Sequence, residues 1–536
     1  MHNAIDTAAP IQVTAVPDIL ARAAEIHADR PALLFHGERT TYGQLAALVD
    51  RAARGFQLLG VTKGTRIGLC LPNTPFSVIC YYAALKAGGI VVNFNPLYVA
   101  RELKHQIEDS GTTVMVTLDA ADLPGKVKGM LDASCLEKVV LCSAGQAGTP
   151  SEDERVVPFA QLIANDGCPE PVQIDPVADA AVLQYTGGTT GIPKGATLTH
   201  ANLVANAEQI RQWIGALKVG EEKVLGVLPL FHVFAMTVVM NLGISIGAEL
   251  ILVPRFDLEE VLKLIAAKRP TLFPGVPTIY TAINGAAAKA SVDLSSIRYC
   301  ISGGAPLPLE IRARFEELSG CRLVEGYGLS EASPVVTCNP FIGEPRTGSI
   351  GQAVPGTIVE VRDSADPSKV LPQGKHGEIC VRGPQVMAGY WQRPEETAQI
   401  LKDGVLHTGD IGYCDPDGFY FLVDRIKDLI ICGGYNVYPR VIEEALYQHP
   451  AVAEAIVIGV PDTYRGQAPK AFVCLKDGAE ADPDDIKKFL ETQISKIEMP
   501  REVEIRSELP KTAVGKLSKL ELLAEEKARQ TQSAAS

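Results

Sequence analysis

The sequence has no excess of positive charge: 50 lysines and arginines stand against 63 aspartates and glutamates, a net charge of −13 over 536 residues. Nor does a basic stripe with interleaved aromatics run along it, which argues against nucleic acid as a partner. The 12 cysteines form no Cys-x-x-Cys pair. Several of them (Cys70, Cys80, Cys300, Cys380, Cys474) sit in apolar runs, where reduced, buried thiols are the default, and this favours a cytoplasmic setting. Asp6 and Pro10 lie near the start without a basic segment ahead of an apolar run, so no signal peptide is expected. Internal repeats are absent. The stretch 224–248 lacks Asp, Glu, Lys and Arg and is long enough to span a bilayer. Pro229, His232, Asn241, Gly243 and Gly247 interrupt it, however, and 224–228 and 249–253 read as strands flanking a buried helix. No basic amphipathic helix announces membrane attachment, although peripheral contact stays open.

What is present is ample core, at 46% hydrophobic content, and length for more than one domain. Strand-like and helix-like runs alternate: 66–71, 90–94 and 113–117 read as strands, 75–87 and 101–110 as helices. Apolar strands in that order imply a parallel sheet covered by helices. The alternation returns at 272–273, 297–301 and 322–324. Small and polar residues make 145–154 a surface connection. Near 425 the composition shifts. From Lys427 onward a pattern of two helices (440–448, 484–494) and strands (429–432, 455–460, 471–475) fits a small α+β domain. The polar tail after Glu525 is expected to fray.

Four blocks carry chemistry. After the apolar run 180–183 comes Tyr185-Thr186-Gly187-Gly188-Thr189-Thr190-Gly191-Ile192-Pro193-Lys194-Gly195, followed by a helix near His200. Four glycines, three threonines and a lysine in eleven residues are more than a turn requires. Glycine backbone N–H groups can close on phosphate oxygens, and lysine adds positive charge. Gly-Lys is not followed by Ser or Thr, so this is not the Walker pattern. The second block, Glu325-Gly326-Tyr327-Gly328-Leu329-Ser330-Glu331, offers an aromatic face for a flat base and a carboxylate for a divalent cation. In the third, His407-Thr408-Gly409-Asp410 precedes Asp424-Arg425-Ile426-Lys427-Asp428; a carboxylate there could accept from both ribose hydroxyls. The fourth is Pro510-Lys511-Thr512-Ala513-Val514-Gly515-Lys516. Taken singly, the second and fourth read as ordinary turns, and the third reads equally well as a turn and a solvated charge run.

In this order and at this spacing the blocks resemble the adenylate-forming superfamily of acyl-CoA synthetases, coumarate-CoA ligases, luciferases and peptide-synthetase adenylation domains. The likeness covers roughly residues 17–520. Residues 184–191, Phe231-His232-Val233-Phe234 and 326–334 are most similar to bacterial medium- and long-chain fatty-acid CoA ligases. The resemblance implies an α/β fold, with a large N-terminal domain (1–425) of helix-covered, largely parallel sheets. A small mobile α+β domain (426–536) would follow, hinged at 426–427 about Lys427.

By the same resemblance Thr186, Gly187, Gly188, Thr189, Thr190, Gly191 and Lys194 hold the triphosphate, with Lys194 near the leaving pyrophosphate. Gly303, Gly304, Ala305 and Pro306 border adenine, and Tyr327 stacks on it within the nucleotide-binding run Glu325, Gly326, Gly328 and Ser330. Thr186 and Glu331 bind Mg²⁺, Asp410 and Arg425 the ribose, and Gly433 and Gly434 the pantetheine arm of coenzyme A. Lys516 bridges the substrate carboxylate and the α-phosphate. His232, Phe234, Ala235, Val335 and Val336 line an acyl pocket with no lysine or arginine to pair a second charge. Gly187 stands where many members have Ser, and Ser330 where many have Thr. The implied partners are ATP, a fatty acid and coenzyme A, and the implied assembly a monomer or homodimer. An aryl- or dicarboxylate-CoA ligase, or a fatty acyl-AMP ligase loading a carrier protein, are the alternatives on this scaffold. A nucleotide-binding module without turnover and a kinase are the readings from other classes.

Overall fold

The computed structural model describes residues 11 and 13–535, apart from 121–122, 144–151, 187–192, 288–291, 426–427, 433–434, 463–464 and 513–516. Two large sheets draw on residues 31–390. The first runs in the order Gly389–Tyr390, Lys194–Thr199, Ala180–Thr186, Ile90–Asn93, Arg66–Cys70, Val114–Leu118, Lys138–Cys142, Val156–Pro158. From Ala180–Thr186 outward to Val156–Pro158 every pairing is parallel. The second sheet is parallel from Arg322–Gly328 through Tyr299–Ser302, Leu272–Gly275, Lys223–Gly226 and Glu249–Leu252 to Pro31–Phe35. Strands buried on both faces need continuous apolar runs, and Ile67 to Cys70 and Ile90 to Asn93 are buried at every position.

One large hydrophobic cluster joins the two sheets. The helix Pro75–Lys86 lies within it with nine residues from Ser77 to Leu85 buried, which explains why its sequence is apolar on all sides. Thr199 caps His200–Ile214 reciprocally with Asn202: Asn202 N donates to Thr199 Oγ1 at 3.2 Å, and Thr199 N to Asn202 Oδ1 at 2.9 Å. The uncharged stretch 224–248 folds into a strand, short helical turns including the π-turn Met236–Asn241, and the approach to Glu249–Leu252. Among the described residues no helix is long and apolar enough to cross a membrane.

A third sheet, antiparallel, is built from Ile358–Arg362, Gly377–Arg382, Val405–Cys414, Leu401–Lys402 and Tyr420–Arg425. The sequence reading did not foresee it. A fourth sheet (Tyr435–Val437, Ile430–Cys432, Gly466–Leu475, Val452–Asp462, Glu502–Arg506) encloses two clusters drawn only from residues 430–522. The expected fraying after Glu525 is corrected: Lys519–Ala535 is one helix. Its charges are not merely solvated. Arg506 reaches Glu525 at 2.6 Å, Arg529 reaches Glu504 at 2.8 Å, and Lys470, 3% exposed, reaches Glu526 at 2.9 Å.

Candidate functional site

The phosphate-loop block joins two antiparallel strands, so its immediate sequel is a strand and the helix comes only afterwards. Thr186 stands opposite Lys194 in register at the mouth of this hairpin, and Gly187, Gly188, Thr189, Thr190 and Gly191 lie outside the described residues. The hairpin is fixed from behind. Tyr185 donates its hydroxyl to Asp109 Oδ2 at 2.6 Å, and Arg393 holds the other oxygen of Asp109 at 2.6 Å. Gly195 packs closely against the hairpin partner: a Cβ there would stand 3.1 Å from the Tyr185 ring, so the ring would have to shift.

The second block occupies the C-terminal end of Arg322–Gly328, beside Tyr299–Ser302, where open parallel sheets present their ligand sites. Gly303, the next residue on the neighbouring strand, faces Phe234: a Cβ on it would lie 3.2 Å from that ring and 3.6 Å from the Gly326 carbonyl. Gly304 adopts φ +81°, a conformation open to glycine, and leads into Ala305. The backbone N–H of Leu307 donates to Glu325 Oε2 at 3.4 Å. Burial, opposed by the Arg440 guanidinium, pushes the Glu325 carboxyl up to about 7.

Tyr327 packs in the cluster formed with Val336 and Ile379 and donates its hydroxyl to Asp410 Oδ2 at 2.5 Å. Asp410, 3% exposed, stands in register with Arg425, whose Nε lies 3.0 Å from Oδ1. Burial and that carboxylate push the Tyr327 hydroxyl well above its ordinary value, so it stays a donor. The turn before Asp410 is braced as well. Glu378 accepts from Gly409 N at 2.9 Å and lies 2.8 Å from His407 Nδ1, with Cys380 Sγ 3.4 Å from the same nitrogen. These three groups could in principle hold a metal. Yet 2.8 Å is a hydrogen-bond distance, shorter than the roughly 3.3 Å that separates ligands set about 2.0 Å from a tetrahedral ion.

Glu331 lies in the single turn Ser330–Ala332, which packs against both strands of the phosphate hairpin. The hydroxyl of Tyr390 donates to Glu331 Oε1 at 2.6 Å, and Lys194 Nζ lies 5.1 Å from the centre of the same ring. Sequence reasoning missed Tyr390. Its only signal is Gly389, which adopts φ +148°, a conformation that side chains disfavour, and whose Cβ would lie 2.8 Å from Thr397 Cγ2. With Thr186 and Glu331 on packed elements, the available donors are a hydroxyl and a carboxylate. Such hard oxygen ligands fit Mg²⁺ carried with a nucleotide's phosphates.

His232 Nδ1 accepts the Phe234 N–H at 3.2 Å and heads a short helix. Ala235 is fully buried in the main core. Val335 and Val336 alternate across their strand, Val335 into the main core and Val336 toward Tyr327, so one cavity cannot be lined by both from the same face. Asn206 holds Val335 at both its N–H (2.9 Å) and its carbonyl (2.8 Å). Lys427, Gly433, Gly434 and Lys516 lie outside the described residues, as does most of the surface connection 145–154. Around them, Asp424 accepts the Arg440 N–H at 3.0 Å, and Lys476 pairs with Glu310 at 3.5 Å.

Two family models match the chain: "AMP-binding enzyme" over residues 20–391 and "AMP-binding enzyme C-terminal domain" over residues 441–516. A long-chain-fatty-acid–CoA ligase of Bacillus subtilis is 44% identical over 545 residues, covering 98% of this chain and 97% of its own. A feruloyl-CoA synthase of an Amycolatopsis species is 37% identical over 491 residues, 91% of this chain and 94% of its own. Among solved structures, the anthranilate CoA ligase AuaEII in complex with anthranoyl-AMP superposes with a TM-score of 0.89 at 28% identity. It covers 98% of this chain and 99% of its own.

Proposed function

The chain belongs to the AMP-binding enzyme family, and from that premise we propose an ATP-dependent, AMP-forming ligase that joins fatty acids to coenzyme A. Carboxylate and ATP give an acyl-adenylate and pyrophosphate; the thiol of coenzyme A then displaces AMP to give the thioester. The observation that carries this reading is the meeting of Thr186 and Lys194, Glu331, and the Tyr327–Asp410–Arg425 chain at neighbouring strand ends.

Each group has a task in the first half-reaction. The Asp410 carboxylate, neutralised by Arg425, receives the ribose hydroxyls, while Gly303, Gly304 and Ala305 leave room for the base. Lys194 steadies the departing pyrophosphate. Mg²⁺, held by Thr186 and Glu331, would supply positive charge against the phosphates. Lys516 neutralises the charge that builds between carboxylate and α-phosphate, which is electrostatic stabilisation rather than proton transfer. Residues 426–536 form the mobile part. Rotation about Lys427 withdraws Lys516 and brings Gly433 and Gly434 to the site for the thiol step. The separate hydrophobic clusters of residues 430–522 support that division.

Phe234 offers the acyl tail apolar surface beside Gly303, whereas Ala235 is taken up by the core, and the likeness to a long-chain-fatty-acid–CoA ligase along nearly the whole chain supports an aliphatic substrate. Each buried methylene contributes about 0.8 kcal/mol, roughly fourfold in specificity constant. Pyrophosphate release measured from butyrate upward should therefore climb to at least octanoate, with AMP and acyl-CoA as the other products. A flat series, or preference for a benzoate or a dicarboxylate, overturns the fatty-acid reading; ADP as product overturns the adenylating chemistry.

A further inference from the structure

Three contacts converge on one tyrosine outside the four sequence blocks. The segment 387–391 is stitched on one side to the turn that carries Glu331, where Met387 N donates to the Glu331 carbonyl at 2.8 Å. On the other side it pairs with the strand after the phosphate loop. Tyr390 stands opposite Ala196, Ala388 N donates to the Thr197 carbonyl at 3.0 Å, and Trp391 N donates to the Gly195 carbonyl at 2.8 Å. Tyr390 N is itself tied to Thr397 Oγ1 at 2.8 Å. With its backbone fixed between the two halves, the side chain reaches both. Its hydroxyl engages Glu331 Oε1 at 2.6 Å and its ring lies under Lys194 Nζ at 5.1 Å.

We infer that Tyr390 is a positioning residue for the metal–triphosphate half of the site, a role that rests on the assignment of Glu331 and Lys194 proposed above. A glutamate on a single turn has three side-chain torsions to order before it can coordinate a cation. A donor at one oxygen selects the rotamer beforehand and leaves the carboxylate its second oxygen for coordination. The ring face attracts the lysine ammonium and directs it to the side from which a phosphate approaches. One residue thus sets the spacing between the cation's carboxylate and the pyrophosphate's lysine, a relation that neither sequence block can fix alone.

The test compares Tyr390→Phe, which removes the hydroxyl and keeps the ring, with Glu331→Gln and the parent. Mn²⁺ binding in the presence of a nonhydrolysable ATP analogue is followed by electron paramagnetic resonance. Removing an outer partner of a metal ligand weakens metal affinity about tenfold or more, so Tyr390→Phe should raise the Mn²⁺ dissociation constant about tenfold. It should raise the Mg²⁺ requirement of pyrophosphate exchange in parallel. KM for the fatty acid, and thioester formation from supplied acyl-AMP, should match the parent, which separates positioning from damage to the fold. Unchanged Mn²⁺ affinity in Tyr390→Phe, with Glu331→Gln impaired, overturns the role of Tyr390 alone. Unchanged affinity in Glu331→Gln overturns the underlying assignment of Glu331. Equal loss in both half-reactions overturns the positioning role in favour of a purely structural one.

Discussion

Asp410 allows the nucleotide reading to be tested at a single hydrogen-bond acceptor. Its carboxylate is 3% exposed, and two of its roughly four lone-pair positions are occupied, one by the Tyr327 hydroxyl at 2.5 Å and one by Arg425 Nε at 3.0 Å. Among the described residues no other side chain takes the remaining two, the number that a pair of ribose hydroxyls requires. Asp410→Asn keeps the shape, removes the charge and replaces one acceptor oxygen by a donor that faces either Tyr327 or Arg425. Hydrogen bonds to a charged group contribute about 1.5–3 kcal/mol each. Loss of the charge should therefore cost about 3 kcal/mol of transition-state binding, roughly 150-fold in kcat/KM for ATP. The assay is pyrophosphate exchange with ATP, 2′-deoxy-ATP and 3′-deoxy-ATP. In the parent, deleting one hydroxyl should cost roughly tenfold or more; in Asp410→Asn the same deletion should cost under about threefold, because the acceptor left is neutral and bonds more weakly. A variant that still separates ATP from the deoxynucleotides as the parent does would refute ribose binding by Asp410, however low its activity.

Lys516→Ala should depress adenylation by about a hundredfold or more while leaving thioester formation from supplied acyl-AMP near the parental rate, since only the first step needs positive charge at the α-phosphate. Equal losses in the two half-reactions would contradict that. For Glu325, the carboxyl is raised from 4.5 to about 7 by burial, so between those values the folded state holds more protons and stability falls as pH rises. Glu325→Gln removes that loss. Its melting temperature should exceed the parent's at pH 8, by an amount corresponding to about 2 kcal/mol, and the gap should close toward pH 4; a gap independent of pH would show that the carboxyl is not strained by burial.

Legibility in the sequence followed the range of the contacts. Strands such as Arg66–Cys70 and Ala180–Thr186 were readable because burial on both faces demands an unbroken apolar run, and the helix Pro75–Lys86 because its run continues past strand length. The third sheet was not. Ile358–Arg362 buries only alternate residues and is flanked by polar turns, so a five-residue window offers little beyond a loop. Asp410 and Arg425 were named as a motif, yet their strength comes from Tyr327, 83 residues upstream of Asp410. Tyr390 escaped for the same reason, its partner Glu331 being 59 residues away and the intervening chain silent about the approach. The last helix looked like a solvated tail because its partners, Lys470 and Glu504, belong to strands on the far side of the small fourth sheet's sequence.

The two sides of the site select their ligands by different physics. On the proposed nucleotide side, directed polar contacts are built in advance: Glu378 pins Gly409, Tyr327 and Arg425 hold Asp410, and Tyr390 holds Glu331. A nucleotide lacking one matching group leaves a buried partner unsatisfied and loses most of its binding, so this half discriminates sharply. On the proposed acyl side, Phe234 presents an apolar ring beside Gly303, so an acid there should be chosen by how much tail it buries. One methylene more or less changes rates only about fourfold, whereas a second carboxylate at the far end would be buried unpaired at a cost of several kcal/mol. A family that keeps its nucleotide contacts can therefore move between acids by reshaping apolar side chains alone. If Phe234 lines the acyl site as proposed, added bulk at its contact with Gly303 should shorten the tail accepted without touching the proposed ribose and metal ligands, which a chain-length series on Gly303→Ala would read.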